Sequence, residues 1–80
     1  MPYEMRIKLL AFSHAADLVG SRDQDVEYDP AETPRSFISR IAPQLVHEGF
    51  RVAVDLEYHS WDQPIGEAAE LAIIPPVSGG

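Results

Sequence analysis

Cysteine is absent from the 80 residues. Its absence excludes a disulfide framework, a thiolate metal site and a catalytic thiol on this chain, so any sulfur chemistry must use sulfur brought from elsewhere. Lysine is nearly absent as well. Lys8 stands alone beside five arginines, which argues against polymers of this protein built on its own lysines. Thirteen acids against six bases give a formal net charge of −7, a balance that repels nucleic-acid phosphates and anionic membranes and favours a partner with a basic docking face. Solubility alone accounts for the same excess. No apolar run approaches 18 residues, and Met1–Leu10 has no basic patch ahead of a long apolar core. The sequence therefore predicts a cytoplasmic protein without membrane or nucleic-acid partners.

Glycine is sparse within the body: Gly20, Gly49 and Gly66 are scattered and form no phosphate-cradling loop. His14, His47 and His59 are far apart and no two have metal-ligand spacing, so no metal site is expected. Ser13 and His14 are adjacent, so their side chains point apart, and no orienting acid completes a nucleophile pair. The Glu67 and Glu70 pair reads as a solvated turn.

What is present suffices for one small domain. A hydrophobic fraction of 45% with three Phe, three Tyr and one Trp is globular composition despite seven prolines. At this length only about 60–65% of the unfolded chain's surface can be buried, which leaves little room for a deep catalytic cleft.

Met5–Phe12 alternates, with Met5, Ile7, Leu9 and Ala11 on one face and Arg6 and Lys8 on the other, the period of a half-buried strand predicted to be central. Ser13–Val19 closed by Gly20 reads as a short helix. A polar turn over Ser21–Gln24 precedes a short, largely solvated strand at Asp25–Tyr28. Thr33-Pro34 is a strong helix start, with Thr as N-cap and Pro at the first helical position. Phe37, Ile38, Ile41, Leu45 and Val46 then recur at helical spacing, with Pro43 predicted to kink or end the helix and Gly49 to stop it. Arg51–Leu56 alternates again, placing Val52, Val54 and Leu56 inward, and leads into another short strand running through Ser60. Trp61 and Ile65 are predicted to plug the base of the core. Leu71–Ile74, an apolar run without alternation, predicts an interior strand covered on both faces.

That strand feeds Pro75-Pro76-Val77-Ser78-Gly79-Gly80. The two prolines hold φ near −65° and predict a stiff strut, and six extended residues reach about 20 Å. A terminal glycine, lacking Cβ, passes through a channel too narrow for any other residue and presents a bare carboxylate. A Gly-Gly end by itself is equally consistent with an ordinary frayed terminus.

An α+β chain with one main helix crossing a mixed sheet of four to five strands, a short helix after strand 1 and a last strand ending in Gly-Gly resembles the β-grasp, or ubiquitin-like, fold. More narrowly, it is similar to the small subunits of molybdopterin synthase, the MoaD-like sulfur carriers related to ThiS. The resemblance runs over nearly the full length. It is carried by Ile7-Lys8-Leu9-Leu10-Ala11-Phe12, Leu18-Val19-Gly20, Val52-Ala53-Val54-Asp55 and above all Leu71-Ala72-Ile73-Ile74-Pro75-Pro76-Val77-Ser78-Gly79-Gly80. The chain departs from the family pattern at Ser13-His14-Ala15-Ala16-Asp17-Leu18 in the first helix, at Asp55 where Asn is frequent, and at Glu67-Ala68-Ala69-Glu70 before the last strand.

The resemblance implies a β-grasp domain over residues 1–74 and a flexible tail over 75–80. It implies a sulfur carrier for molybdenum cofactor biosynthesis, not catalytic alone but the sulfur-donor subunit of a sulfurtransferase complex. Gly80 would be adenylated and converted to a thiocarboxylate, with Gly79 giving backbone clearance. Ile74, Pro75, Pro76, Val77 and Ser78 would bind the partner, Ile74 and Pro75 as an apolar collar. The implied partners are the large synthase subunit, a ubiquitin-activating-like adenylyltransferase that uses ATP and Mg, and a cysteine desulfurase or rhodanese-like sulfur donor. No cofactor is expected on the chain itself. Two other readings stay open on the sequence: a ubiquitin-like modifier conjugated through Gly80, and a carrier for another pathway such as thiamine biosynthesis.

Overall fold

The computed structural model describes residues 3–11, 23–46 and 49–75. Five strands form one sheet: β1 (Met5–Ala11), β2 (Asp23–Tyr28), β3 (Arg51–Val54), β4 (Glu57–His59) and β5 (Glu70–Ile74), in the order β2-β1-β5-β3-β4. A single α-helix among the described residues, α1 (Pro34–Ile41), and a 3₁₀ turn over Pro43–Leu45 complete the described elements. β1 pairs with β5 in parallel, and the other pairings are antiparallel. The sheet is therefore mixed, as expected. The strand at its centre is β5, with β1 beside it. Among the described residues no helix is long and apolar enough to cross a membrane. The expected short helix over Ser13–Val19 lies outside the described residues, as does Phe12.

The helix begins where Thr33-Pro34 predicts. Thr33 Oγ1 accepts from the Ser36 backbone N–H at 3.1 Å while Ser36 Oγ accepts from the Thr33 N–H at 3.1 Å, a reciprocal capping box. It ends at Ile41 because Pro43 has no N–H to offer the Ser39 carbonyl and disfavours helical backbone at Ala42, which leaves the helical region at φ −153° and ψ 70°. Leu45 is thus buried from the 3₁₀ turn rather than from α1. Gly49, with φ +95°, turns the chain into β3 after the helix has already ended.

One face of the sheet and the inner side of α1 enclose the core. Ile7, Leu9 and Ala11 from β1, Phe37 and Ile38 from α1, Val52 from β3, and Leu71 and Ile73 from β5 are all buried, with Leu45, Phe50 and Ile65 closing the ends. Trp61 packs against this cluster, and its indole N–H donates to the Phe50 carbonyl at 3.0 Å. On the solvent side of α1, Arg35 makes a two-pronged contact with Asp62, at 2.8 and 3.2 Å, which holds the Asp62 carboxyl below its ordinary range. Both groups are exposed, so the pair adds little to stability.

Three expectations change at the strand level. The turn assigned to Ser21–Gln24 gives way to strand at Asp23, because the register Leu10↔Asp23 and Leu9↔Gln24 extends β2 along all of β1. β2 is largely solvated, as expected, but Tyr28 at its end is fully buried and meets Phe37 edge-on, with ring centres 6.2 Å apart. Its hydroxyl donates to the Gly66 carbonyl at 2.7 Å and accepts from the Ala68 N–H at 2.9 Å, tying β2 to the loop that launches β5. Tyr28→Phe strips both backbone groups of their partner and is expected to cost about 1–2 kcal/mol. Thermal melts should show a midpoint lower by roughly 5–10 °C; an unchanged midpoint contradicts the role.

The third change concerns Leu56, expected inward and found 86% exposed. β3 stops at Val54, and Asp55 (φ +49°) and Leu56 (φ +71°) form a two-residue hairpin turn to β4, since Val54 pairs with Glu57. Positive φ at both positions is the twist-matched geometry for so tight a hairpin. Asp tolerates it, whereas a leucine there carries backbone strain of about 1 kcal/mol.

Candidate functional site

Every strand of a sheet has two faces, and β5 uses them differently. Leu71 and Ile73 are wholly buried beneath α1, while Glu70, Ala72 and Ile74 point to the opposite face and are half-buried. β5 is interior by position but is not covered on both faces, so the expectation of two-sided burial is corrected. Helical cover exists on one side alone among the described residues.

On the face opposite α1 the register lines up Leu10, Ala72, Ala53 and Tyr58 in one row across four strands. The two alanines in the middle leave the row concave, and the larger Leu10 and Tyr58 raise its ends. Leu56 and Ile74 extend the same surface into an apolar groove of about 300 Å³, with Glu70 at its margin. The Arg51 guanidinium lies 5.5 Å from the centre of the Tyr58 ring and supports that wall. Arg51 in turn is the cross-strand partner of Ile74. By register the same face carries Arg6, Lys8 and Arg51 beside Asp23, Asp25, Glu27 and Glu70, a mixed surface with a small acidic excess.

The turn at the groove's edge is clamped. Asp55 Oδ1 accepts from the Ala69 and Glu70 N–H groups at 2.9 and 3.0 Å, and the Asp55 N–H donates to the Glu70 carbonyl at 3.0 Å. This accounts for two of the sequence's departures from its family pattern. An Asn at position 55 would tolerate positive φ and offer the same oxygen, so Asp preserves the turn. Ala68 and Ala69 act through their backbone N–H groups, which do not depend on the side chain.

Of the residues singled out by sequence, Ile74 and Pro75 are both half-buried where β5 leaves the sheet. Ile74 belongs to the groove and to the exit of the chain at once. Pro76, Val77, Ser78, Gly79 and Gly80 lie outside the described residues. Sequence reading missed Leu10, Ala53, Leu56, Tyr58 and Ala72. A signal existed for the alanines: if Val52 and Val54 point inward, Ala53 points outward, and a second outward alanine at position 72 of a neighbouring strand marks a hollow.

A second hollow, of about 350 Å³, lies among Arg35, Trp61, Asp62 and His59. It is slightly larger but poorer in chemistry, since Arg35 is already held by Asp62 and His59 Nε2 lies 3.1 Å from the Gln63 carbonyl oxygen. Among the described residues no three His, Asp or Glu side chains gather as a metal would need.

Residues 9–80 match the model of the ThiS family. The chain is 38% identical to the molybdopterin synthase sulfur carrier subunit of Caenorhabditis briggsae over 82 aligned positions, which cover 92% of this chain and 96% of that protein. Identity to the protein of the same name from Caenorhabditis elegans is 35%, with the same coverage. Among solved structures, SAMP1 from Haloferax volcanii superimposes with a TM-score of 0.75 at 24% identity, over 95% of this chain and all of the other. A putative molybdopterin converting factor, subunit 1, from Pyrococcus furiosus gives 0.73 at 20% identity, over 92% of this chain and all of the other. At those identities the two structures speak for the fold, which is the β-grasp.

Proposed function

Because the chain belongs to the ThiS family, as a ubiquitin-like sulfur carrier, we propose that its sulfur travels as a thiocarboxylate on Gly80 and is donated within molybdopterin synthase to build the dithiolene of molybdopterin. The observation that carries this reading is the placement of β5. The central strand, held by a neighbour on each side, delivers the chain out of the sheet at Ile74, beside an apolar groove suited to a partner. A partner seated on that groove receives the tail in a fixed direction, which converts a floppy encounter into a positioned one.

The chemistry follows from what the chain lacks. A terminal carboxylate, with an ordinary pKa near 3.5, is an anion at neutral pH and a poor electrophile. Activation falls to an adenylyltransferase using ATP and Mg, whose product is an acyl-adenylate at Gly80. The persulfide sulfur of a desulfurase or rhodanese-like donor then displaces AMP to give an acyl disulfide at Gly80, and a second thiol cleaves it, forming a disulfide with the donor's cysteine and releasing the terminal thiocarboxylate. With no cysteine of its own, the carrier has no thiol to compete for the activated acyl group. Gly79 and Gly80 pass a narrow channel into the large subunit, and Pro75 to Ser78 span the distance from the groove. Groups that bind the pterin phosphate and move protons belong to the large subunit. The apolar groove and the chain's net charge of −7 support a large subunit with a complementary basic face.

Reconstitution tests the reading. The chain bearing a thiocarboxylate at Gly80, mixed with the large subunit and a cyclic pterin phosphate, should yield the dithiolene product, and the carboxylate form should yield none. Product from the carboxylate form, or none from the thiocarboxylate, contradicts it. Recovery of the chain joined through Gly80 to lysines of other proteins, with no thiocarboxylate, would instead mark a protein modifier.

A further inference from the structure

Leu56 combines three properties that rarely coincide. It is the most exposed large apolar residue among those described, 86% against 70% for Tyr58 and 39% for Tyr3. It occupies a left-handed backbone position, φ +71°, where glycine or asparagine fits without strain. It also lines the apolar groove beside Tyr58 and Ala53. Neither solubility nor the hairpin favours a leucine here. Its side chain is turned away from the core, so packing does not favour it either.

The backbone around it is fixed before any partner arrives. Asp55 is fastened to the start of β5 by three hydrogen bonds, at 2.9, 3.0 and 3.0 Å. Val54 and Glu57 pair on either side of the turn. A leucine projected from so constrained a turn loses little conformational freedom on docking, the condition under which a single apolar side chain contributes most to affinity. Strained positions that a sequence tolerates are where function is to be sought.

We infer that Leu56 is a docking anchor, inserted into an apolar socket on the large synthase subunit whose rim carries basic side chains. The basic rim follows from charge: Asp55 and Glu57 flank the anchor in sequence, Glu70 lines the groove beside Asp55, and the chain as a whole carries −7. The inference rests on the carrier reading above and adds to it the residue that fixes how the partner seats.

Binding of wild type and of Leu56→Asn, Leu56→Gly and Leu56→Met to the large subunit is measured by calorimetry, alongside thermal melts. Asn and Gly relieve the strain and remove the anchor, so both should melt at or above the wild-type midpoint while binding about tenfold or more weakly. Met keeps an apolar side chain and the strain, and should bind close to wild type. Sulfur transfer by the Asn variant should recover at saturating carrier, with KM raised and kcat little changed. Asn and Gly variants that bind as wild type does overturn the anchor and leave the carrier reading intact. A Met variant as weak as Asn, or a lowered midpoint in Asn and Gly, also overturns it, the latter by showing that Leu56 serves its own fold. Wild type that fails to bind the large subunit removes the carrier reading, and the anchor with it.

Discussion

Deleting Gly80, or appending one residue after it, is expected to abolish sulfur transfer while leaving the thermal midpoint nearly unchanged. The two halves of this prediction have separate causes. Transfer fails because the reacting acyl carbon is the terminal one: deletion withdraws it by about 3.5 Å, and an added residue converts it to an unreactive amide. A misplacement of even about 1 Å at a reacting centre lowers rates by about a hundredfold. Stability survives because the core closes earlier. Among the described residues the core cluster runs from Ile7 to Ile73, and the last ladder pairing is that of Ile74 with Arg51. Carrier-dependent product formation and thermal melts of the same samples check both halves. A variant that lacks Gly80 yet still transfers sulfur contradicts the assignment.

Ala72→Arg is expected to weaken binding to the large subunit by about a hundredfold or more. Ala72 is the floor of the groove, flanked in register by Leu10 on one side and Ala53 on the other. An arginine there fills the hollow and carries a charge into a surface the partner must dry, a penalty of about 2–5 kcal/mol. The basic rim inferred for the partner makes the added positive charge worse. The isolated domain should barely notice, since residue 72 faces away from the core and its long side chain can reach Glu70. Calorimetric titration with the large subunit gives the affinity, and a melt within a few degrees of wild type confirms the fold. Undiminished binding would move the docking face elsewhere.

Much of the fold was legible in the sequence because local and global signals agree. The Thr33-Pro34 start of α1, its early end before Pro43 and the alternation of β1 each rest on one local cause, and the structure realises each. Where two causes compete, periodicity alone fails. The Val52, Val54, Leu56 alternation predicts an inward Leu56, but the reversal to β4 leaves a two-residue loop and takes position 56 out of the strand. Tyr28 looked like the end of a solvated strand because Asp25 and Glu27 are polar; its burial depends on α1 and on a loop 38 residues away. Leu71–Ile74 looked covered on both sides because an apolar run cannot say which face a helix occupies. The groove was the least legible part, since a hollow made of two alanines on adjacent strands arises only from register.

The central claim is that sulfur rides on the terminal glycine. Intact-mass measurement of the chain purified from its own host, followed by fragmentation to locate any change, tests it most directly. A fraction of the protein should show one oxygen replaced by sulfur, assigned to Gly80 and lost on incubation with the large subunit and pterin. A terminus that stays a plain carboxylate, under conditions where the host makes molybdenum cofactor, would contradict the account.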